Sequence, residues 1–173
     1  MDNYLPFEEV RQAPEFAAYY EAAGHFCLFL EESNGLTTSG FLNKARLHLL
    51  RLYAAALAMP AVDLQSNKEY EDKVSVDAFR AVLSSVAEQL DSARYYWHVF
   101  DPTDDLDTTP KCGDLLNDLG DIYKDLKNRL MLFSLDKEDC EEIARWNLKF
   151  DFDAHWGAHC INALSAMHFY LKK

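Results

Sequence analysis

Apolar residues in this chain recur every three or four positions, in five or six successive blocks, each closed by proline, glycine or a polar run. That period gathers the apolar side chains on one face of an α-helix, and no segment is read as a half-buried strand with period two. The predicted fold class is all-α. It is a helical bundle of about five or six helices, up-down, with a four-helix core.

Pro14 suits the first turn of the first helix. Phe16, Tyr19, Ala23, Phe26 and Leu30 form its stripe, which stops near Ser33-Asn34-Gly35. Thr38 or Ser39 caps a second helix that Pro60 ends, because proline cannot continue the hydrogen-bond ladder. Its last turns are apolar nearly all round, which predicts a central place. Residues 61–74 read as a polar connection. A third helix opens at Ser75 or Asp77 and carries a stripe from Phe79 through Leu90 and Trp97 to Phe100, where Asp101-Pro102 breaks it. Within that stripe, Tyr95-Tyr96-Trp97-His98 is read as a helix-end anchor with buried rings. An acidic loop to Pro110 follows, read as a solvated turn. The fourth helix bears Leu115, Leu119, Ile122 and Leu126. The fifth, capped by Ser134 or Asp136, bears Ile143 and Trp146. The apolar phase then shifts near residues 149–153, so a kink and a sixth helix are expected. The chain reads as one domain, 1–173, with 1–14 as an N-terminal extension.

The formal net charge of −12 argues against a nucleic-acid partner, since phosphate binding needs clustered Lys and Arg. It leaves room for cations or a basic protein partner. The longest apolar stretch, around Leu47 to Met59, contains His48 and Arg51 and is too short to span a bilayer. No signal-like core is read near the start, and the four cysteines show neither C-x-x-C nor zinc-finger spacing. A cytoplasmic protein with reduced thiols is expected, with no membrane partner.

Two constellations carry chemistry. Asp114, Asp118, Asp121 and Asp125 are spaced four, three and four, so the fourth helix aligns them on one strip. Like charges at that spacing repel, and a divalent metal, basic side chains of a neighbouring helix, or solvent would offset the repulsion. In Asp151-Phe-Asp153-Ala-His155-Trp-Gly-Ala-His159, the two histidines lie four apart, and a helix turns both imidazoles to one side. That is a two-point metal grip resembling H-E-x-x-H without its glutamate. The plainer reading makes the aspartates a solvated helix face and the histidines boundary residues. If the two faces meet, Asp118, Asp121, Asp125, His155 and His159 form a divalent-metal site. Each aspartate is then either a ligand or an orienter of an imidazole. The functional expectation is a metal- or small-molecule-binding bundle, with hydrolysis by metal-bound water as the simplest chemistry. The alternative is a non-enzymatic domain whose acidic face meets a basic protein, and an acidic phosphate mimic is a third. The sequence leaves open whether the site is catalytic. No nucleophile elbow, Walker A loop or G-x-G-x-x-G occurs.

Three blocks carry a family resemblance: Tyr96 to Pro102, Leu115 to Lys127, and His155-Trp156-Gly157-Ala158-His159. In this order they resemble the bacterial family catalogued as domain of unknown function 5063. The likeness covers the second half of the chain well and the first half in helix pattern. It implies a small bacterial cytoplasmic protein without an established activity. It also implies Asp at the positions of Asp118, Asp121 and Asp125 and His at those of His155 and His159. Asn117 stands where an acidic residue is commoner in that family.

Overall fold

The computed structural model describes residues 5–71, 74–99, 101–135 and 137–173. Residues 1–4 of the expected extension, Phe100 of the third stripe and Asp136 as a helix cap lie outside the described residues. Among the described residues a one-turn helix, α1 (Phe7–Arg11), precedes six long ones. These are α2 (Pro14–Glu32), α3 (Thr38–Ala58), α4 (Val76–Leu90), α5 (Leu115–Phe133), α6 (Glu138–Asp151) and α7 (Gly157–Tyr170). The fold is the predicted all-α bundle. Helix α2 packs on α3 and α5, and α7 packs on the same two, so these four close a ring around the core. Helices α4 and α6 lean on α5 from outside.

The stripes explain the ring. Leu119, Ile122, Tyr123 and Leu126 of α5 meet Val86 and Leu90 of α4, Leu49 of α3 and Trp156 in one buried cluster. Gly35 takes a left-handed φ of 75° in the turn between α2 and α3, a conformation that costs glycine little. Thr37, one residue before the expected cap, accepts the Gly40 N–H at the start of α3. Ser75 caps α4 as expected, accepting the Ala78 N–H.

Several expectations need correction. The third helix does not run to Trp97. It stops at Leu90, where Asp91 adopts φ 43° and ψ −124°. A short 3₁₀ turn follows, and Tyr95–His98 is a strand, β3, paired antiparallel with β4 (Lys111–Asp114). Aromatic side chains suit a pleated surface. Here Tyr96 and His98 are half-buried, while Tyr95 and Trp97 face solvent rather than anchoring a helix end. The acidic loop between the strands is a solvated turn: Asp101, Asp104 and Asp107 each accept a backbone N–H two residues on. The 61–74 connection also holds a strand, β2 (Val62–Asp63), parallel to β1 (Leu5–Pro6). Ser134 does not cap α6. Its hydroxyl bonds back to Met131 O, and Lys137 occupies the cap position without a side-chain bond. Helix α3 is not central, since Leu47, Leu50 and Leu57 on its outer face are exposed.

Part of the N-terminal extension is integral to the packing. Phe7 and Val10 are buried, and Arg145 of α6 donates to Val10 O with its guanidinium 3.7 Å from the Phe16 ring centroid. The expected kink is a π-helical turn, Phe152–Trp156, joining α6 to α7. No helix among the described residues is long and apolar enough to cross a membrane.

Candidate metal centre

Because α5 commits its leucine face to the core, Asp118, Asp121 and Asp125 project on a neighbouring strip towards the π turn and α7. Asp114 does not belong to that strip. It is the N-cap of α5, accepting the Leu116 N–H at 2.9 Å and pairing with the Arg94 guanidinium. Against the cost of partial burial, Arg94 and that N–H hold the Asp114 carboxyl below the usual carboxylate range.

The histidine pair comes from the second element. The π turn widens the helix by one residue per turn, and its closing bond runs from Gly157 N–H to Phe152 O. A Cβ on Gly157 would lie 2.6 Å from that same oxygen, so glycine is what lets the turn close. His155 lies in the turn and His159 in the first turn of α7, with ring centroids 5.0 Å apart and planes at 81°.

The two faces meet, and the five expected residues come together in distinct roles. His155 Nδ1–H donates to Asp125 Oδ2 at 2.7 Å, and His159 Nδ1–H donates to Asp118 Oδ1 at 2.7 Å. Each carboxylate thereby fixes its imidazole in the tautomer whose Nε2 lone pair is free to bind a cation. His159 Nε2 lies 3.8 Å from Asp121 Oδ2, and one ligand atom each from Asp121, His155 and His159 fall within 4.8 Å of one another. Ligands about 2.0–2.2 Å from one ion are about 3–3.5 Å apart, so modest side-chain rotation closes the set. The hydrogen bond to Asp118 raises the His159 pKa above its ordinary value, burial opposes this, and the charges of Asp118, Asp121 and Asp125 add to it.

The surrounding shell contains residues that sequence spacing did not reveal. Tyr96 of β3 donates its hydroxyl to Asp118 Oδ2 at 2.6 Å. Its ring lies over Gly113 of β4, where any Cβ would collide with it. Burial first, and then the bond to Asp118, push the Tyr96 phenol well up. Asn117 donates to Asp121 Oδ2 at 2.7 Å. The period-two alternation of Tyr95 to His98 is the signal that points Tyr96 inward. Asp151 and Asp153 of the second constellation do not join the cluster of ligand atoms. Asp151 pairs with Arg129 at 2.8 Å and Asp153 with Lys149 at 3.4 Å.

The family model described as domain of unknown function (DUF5063) matches residues 11–173, more of the chain than the three blocks alone cover. No curated protein matches in sequence. Among solved structures, protein BF1032 from Bacteroides fragilis is similar in fold, with a TM-score of 0.80 at 21% identity. The match covers 95% of this chain and 99% of that one.

Proposed function

We propose that this chain, which belongs to the DUF5063 family, binds a divalent transition metal through Asp121, His155 and His159. Two imidazoles and one carboxylate leave coordination positions open to water and a small-molecule ligand. A bound ion would supply an activated water there, and hydrolysis is the simplest chemistry it would serve. One observation carries the reading: each histidine has its Nδ1 held by its own aspartate, His159 Nε2 lies 3.8 Å from Asp121 Oδ2, and a ring nitrogen of each histidine lies within 4.8 Å of an Asp121 oxygen. Asp118 and Asp125 are orienters here rather than ligands. The alternative of an acidic face for a basic protein is weakened by burial, because Asp118 is 5% exposed and already accepts two hydrogen bonds. Three buried, unpaired thiols, Cys27, Cys140 and Cys160, fit a reducing compartment, and we place the protein in the bacterial cytoplasm.

Calorimetric titration of metal-stripped protein with Zn²⁺, Mn²⁺ and Fe²⁺ tests the site. Asp121→Asn and His155→Ala should abolish binding. Asp118→Asn and Asp125→Asn should keep it but weaken it by about 10–100-fold, as expected when a partner that orients a ligand is lost. Wild-type protein that binds none of the three ions defeats the reading.

A further inference from the structure

Helix α3 has two apolar faces, and only one of them is used by the core. Phe41, Leu42, Ala45, Leu49, Leu52 and Ala56 are buried. On the other side Leu47, Leu50, Ala54 and Leu57 are exposed, Leu50 at 52% and Leu57 at 64%. Their spacing of three, four and three is that of a coiled-coil seam. Helix α7 exposes Ala158, Ile161, Ser165 and His168 at the same spacing. A groove of about 640 Å³ runs between the strips, with Leu47 and Leu50 on one wall and Leu164 on the other.

Charge is distributed unevenly around this face. The chain has 29 acidic residues, yet residues 33–62 and 154–173 contain none. If Leu47 and Leu50 take the seam positions, the flanking positions of α3 hold Arg46, which lines the groove, and on the opposite edge Lys44 and Arg51, with Lys44 beside His25, Glu32 and His48. None of the three forms an ion pair among the described residues. The local field is positive enough to act on a neighbour. Burial first, and then Arg51, His25 and Lys44, hold the His48 imidazole below its ordinary value.

We propose that the α3–α7 face is a docking groove for an amphipathic helix of another protein, apolar along its seam and acidic on the flank that lies over α3. Exposed seam residues supply the apolar contact that helix-in-groove recognition needs. A second copy of this chain is disfavoured, because a two-fold seam would bring Lys44, Arg46 and Arg51 against the same cations. The size is adequate. Helix α3 has 21 residues and is about 30 Å long. Helix α7 beside it has 14 residues and is about 21 Å long; at about 10 Å of width per helix the face spans about 500 Å², below the ~800 Å² per partner of a standard interface and suited to a transient helix contact.

Two synthetic helical peptides with one leucine seam, flanked by Glu in one and by Lys in the other, test this on the full chain by fluorescence anisotropy. The Glu peptide should bind at least about tenfold tighter, and added salt should narrow the gap. Arg46→Glu with Arg51→Glu should invert the preference, and Leu50→Asp should remove binding of the Glu peptide. His155→Ala should bind the Glu peptide as wild type does, so this outcome is independent of the metal site. Equal affinity for both peptides, or none for the Glu peptide, overturns the proposal. So does a dimer that Leu50→Asp dissolves, which assigns the face to a second copy. Binding to anionic phospholipid vesicles without binding the Glu peptide overturns it as well, in favour of a membrane surface.

Discussion

In the proposed site, Asp118 joins stability to the orientation of an imidazole. It is buried, and its two oxygens accept from Tyr96 and His159 on two different elements. Removing either donor leaves a buried carboxylate short of a partner, which costs more than the bond itself is worth. Tyr96→Phe should therefore destabilise the protein by about 1.5–3 kcal/mol, measured by urea denaturation. It should also weaken metal binding, because Asp118 is then free to turn away from His159. A variant with wild-type stability and affinity would show that the hydroxyl is idle. The ligand candidates themselves were legible in the sequence, because helical spacing aligns Asp118, Asp121 and Asp125 on one strip and His155 with His159 on another. The division into ligands and orienters proposed for them was not, because it depends on which oxygen faces which ring across two packed helices. Tyr96 was hidden for a different reason: a false continuation of the helical stripe through Leu90, Ala93 and Trp97 outweighed the alternation of the aromatic run.

At the scale of elements, the helices were readable wherever one apolar face met the core, as along α2 and α5, and the kink was readable from a change of phase. The β3–β4 hairpin was not, because its two strands lie twelve residues apart and pair only through tertiary context. The position of α3 was misread for a related reason. Its outward leucines look like core until a neighbour is found missing. The π turn offers a test whose sign is diagnostic. In an ordinary helix interior, replacing glycine by alanine gains about 1 kcal/mol. At Gly157 the added Cβ meets Phe152 O at 2.6 Å, and that oxygen cannot move without breaking the bond that closes the turn. Gly157→Ala should therefore destabilise the protein, by about 1–3 kcal/mol, and displace His155 from Asp125. Thermal denaturation together with the histidine NMR signals would check both effects. Stabilisation would mean that the turn relaxes to an ordinary α-helix without loss.

For the whole molecule, stability and site are coupled through α5, whose one face builds the core and whose other face holds the aspartates. Leu119→Ala should cost about 2–5 kcal/mol, since the side chain is fully buried at the centre of the ring. Denaturant midpoints would measure this, and a change within about 0.5 kcal/mol would mean that the core is centred elsewhere. The pH dependence follows from His159. Its pKa in the folded state is raised, chiefly by the hydrogen bond to Asp118, above the unfolded value of about 6.5. The folded state then holds a proton that the unfolded state has released. The stabilisation is complete below the unfolded pKa and disappears as pH rises through the folded one. The metal-free protein should therefore lose melting temperature across that window, and His159→Ala should lose less. A divalent metal acts in the opposite sense, because a ligating imidazole must be neutral and each bound ion displaces protons. Metal should therefore raise the melting temperature more above the window than below it, by an amount that grows with free metal concentration. Melting curves across pH, with and without Zn²⁺, separate the two effects. A metal-induced shift that stays constant with pH would mean that the ion binds away from the imidazoles.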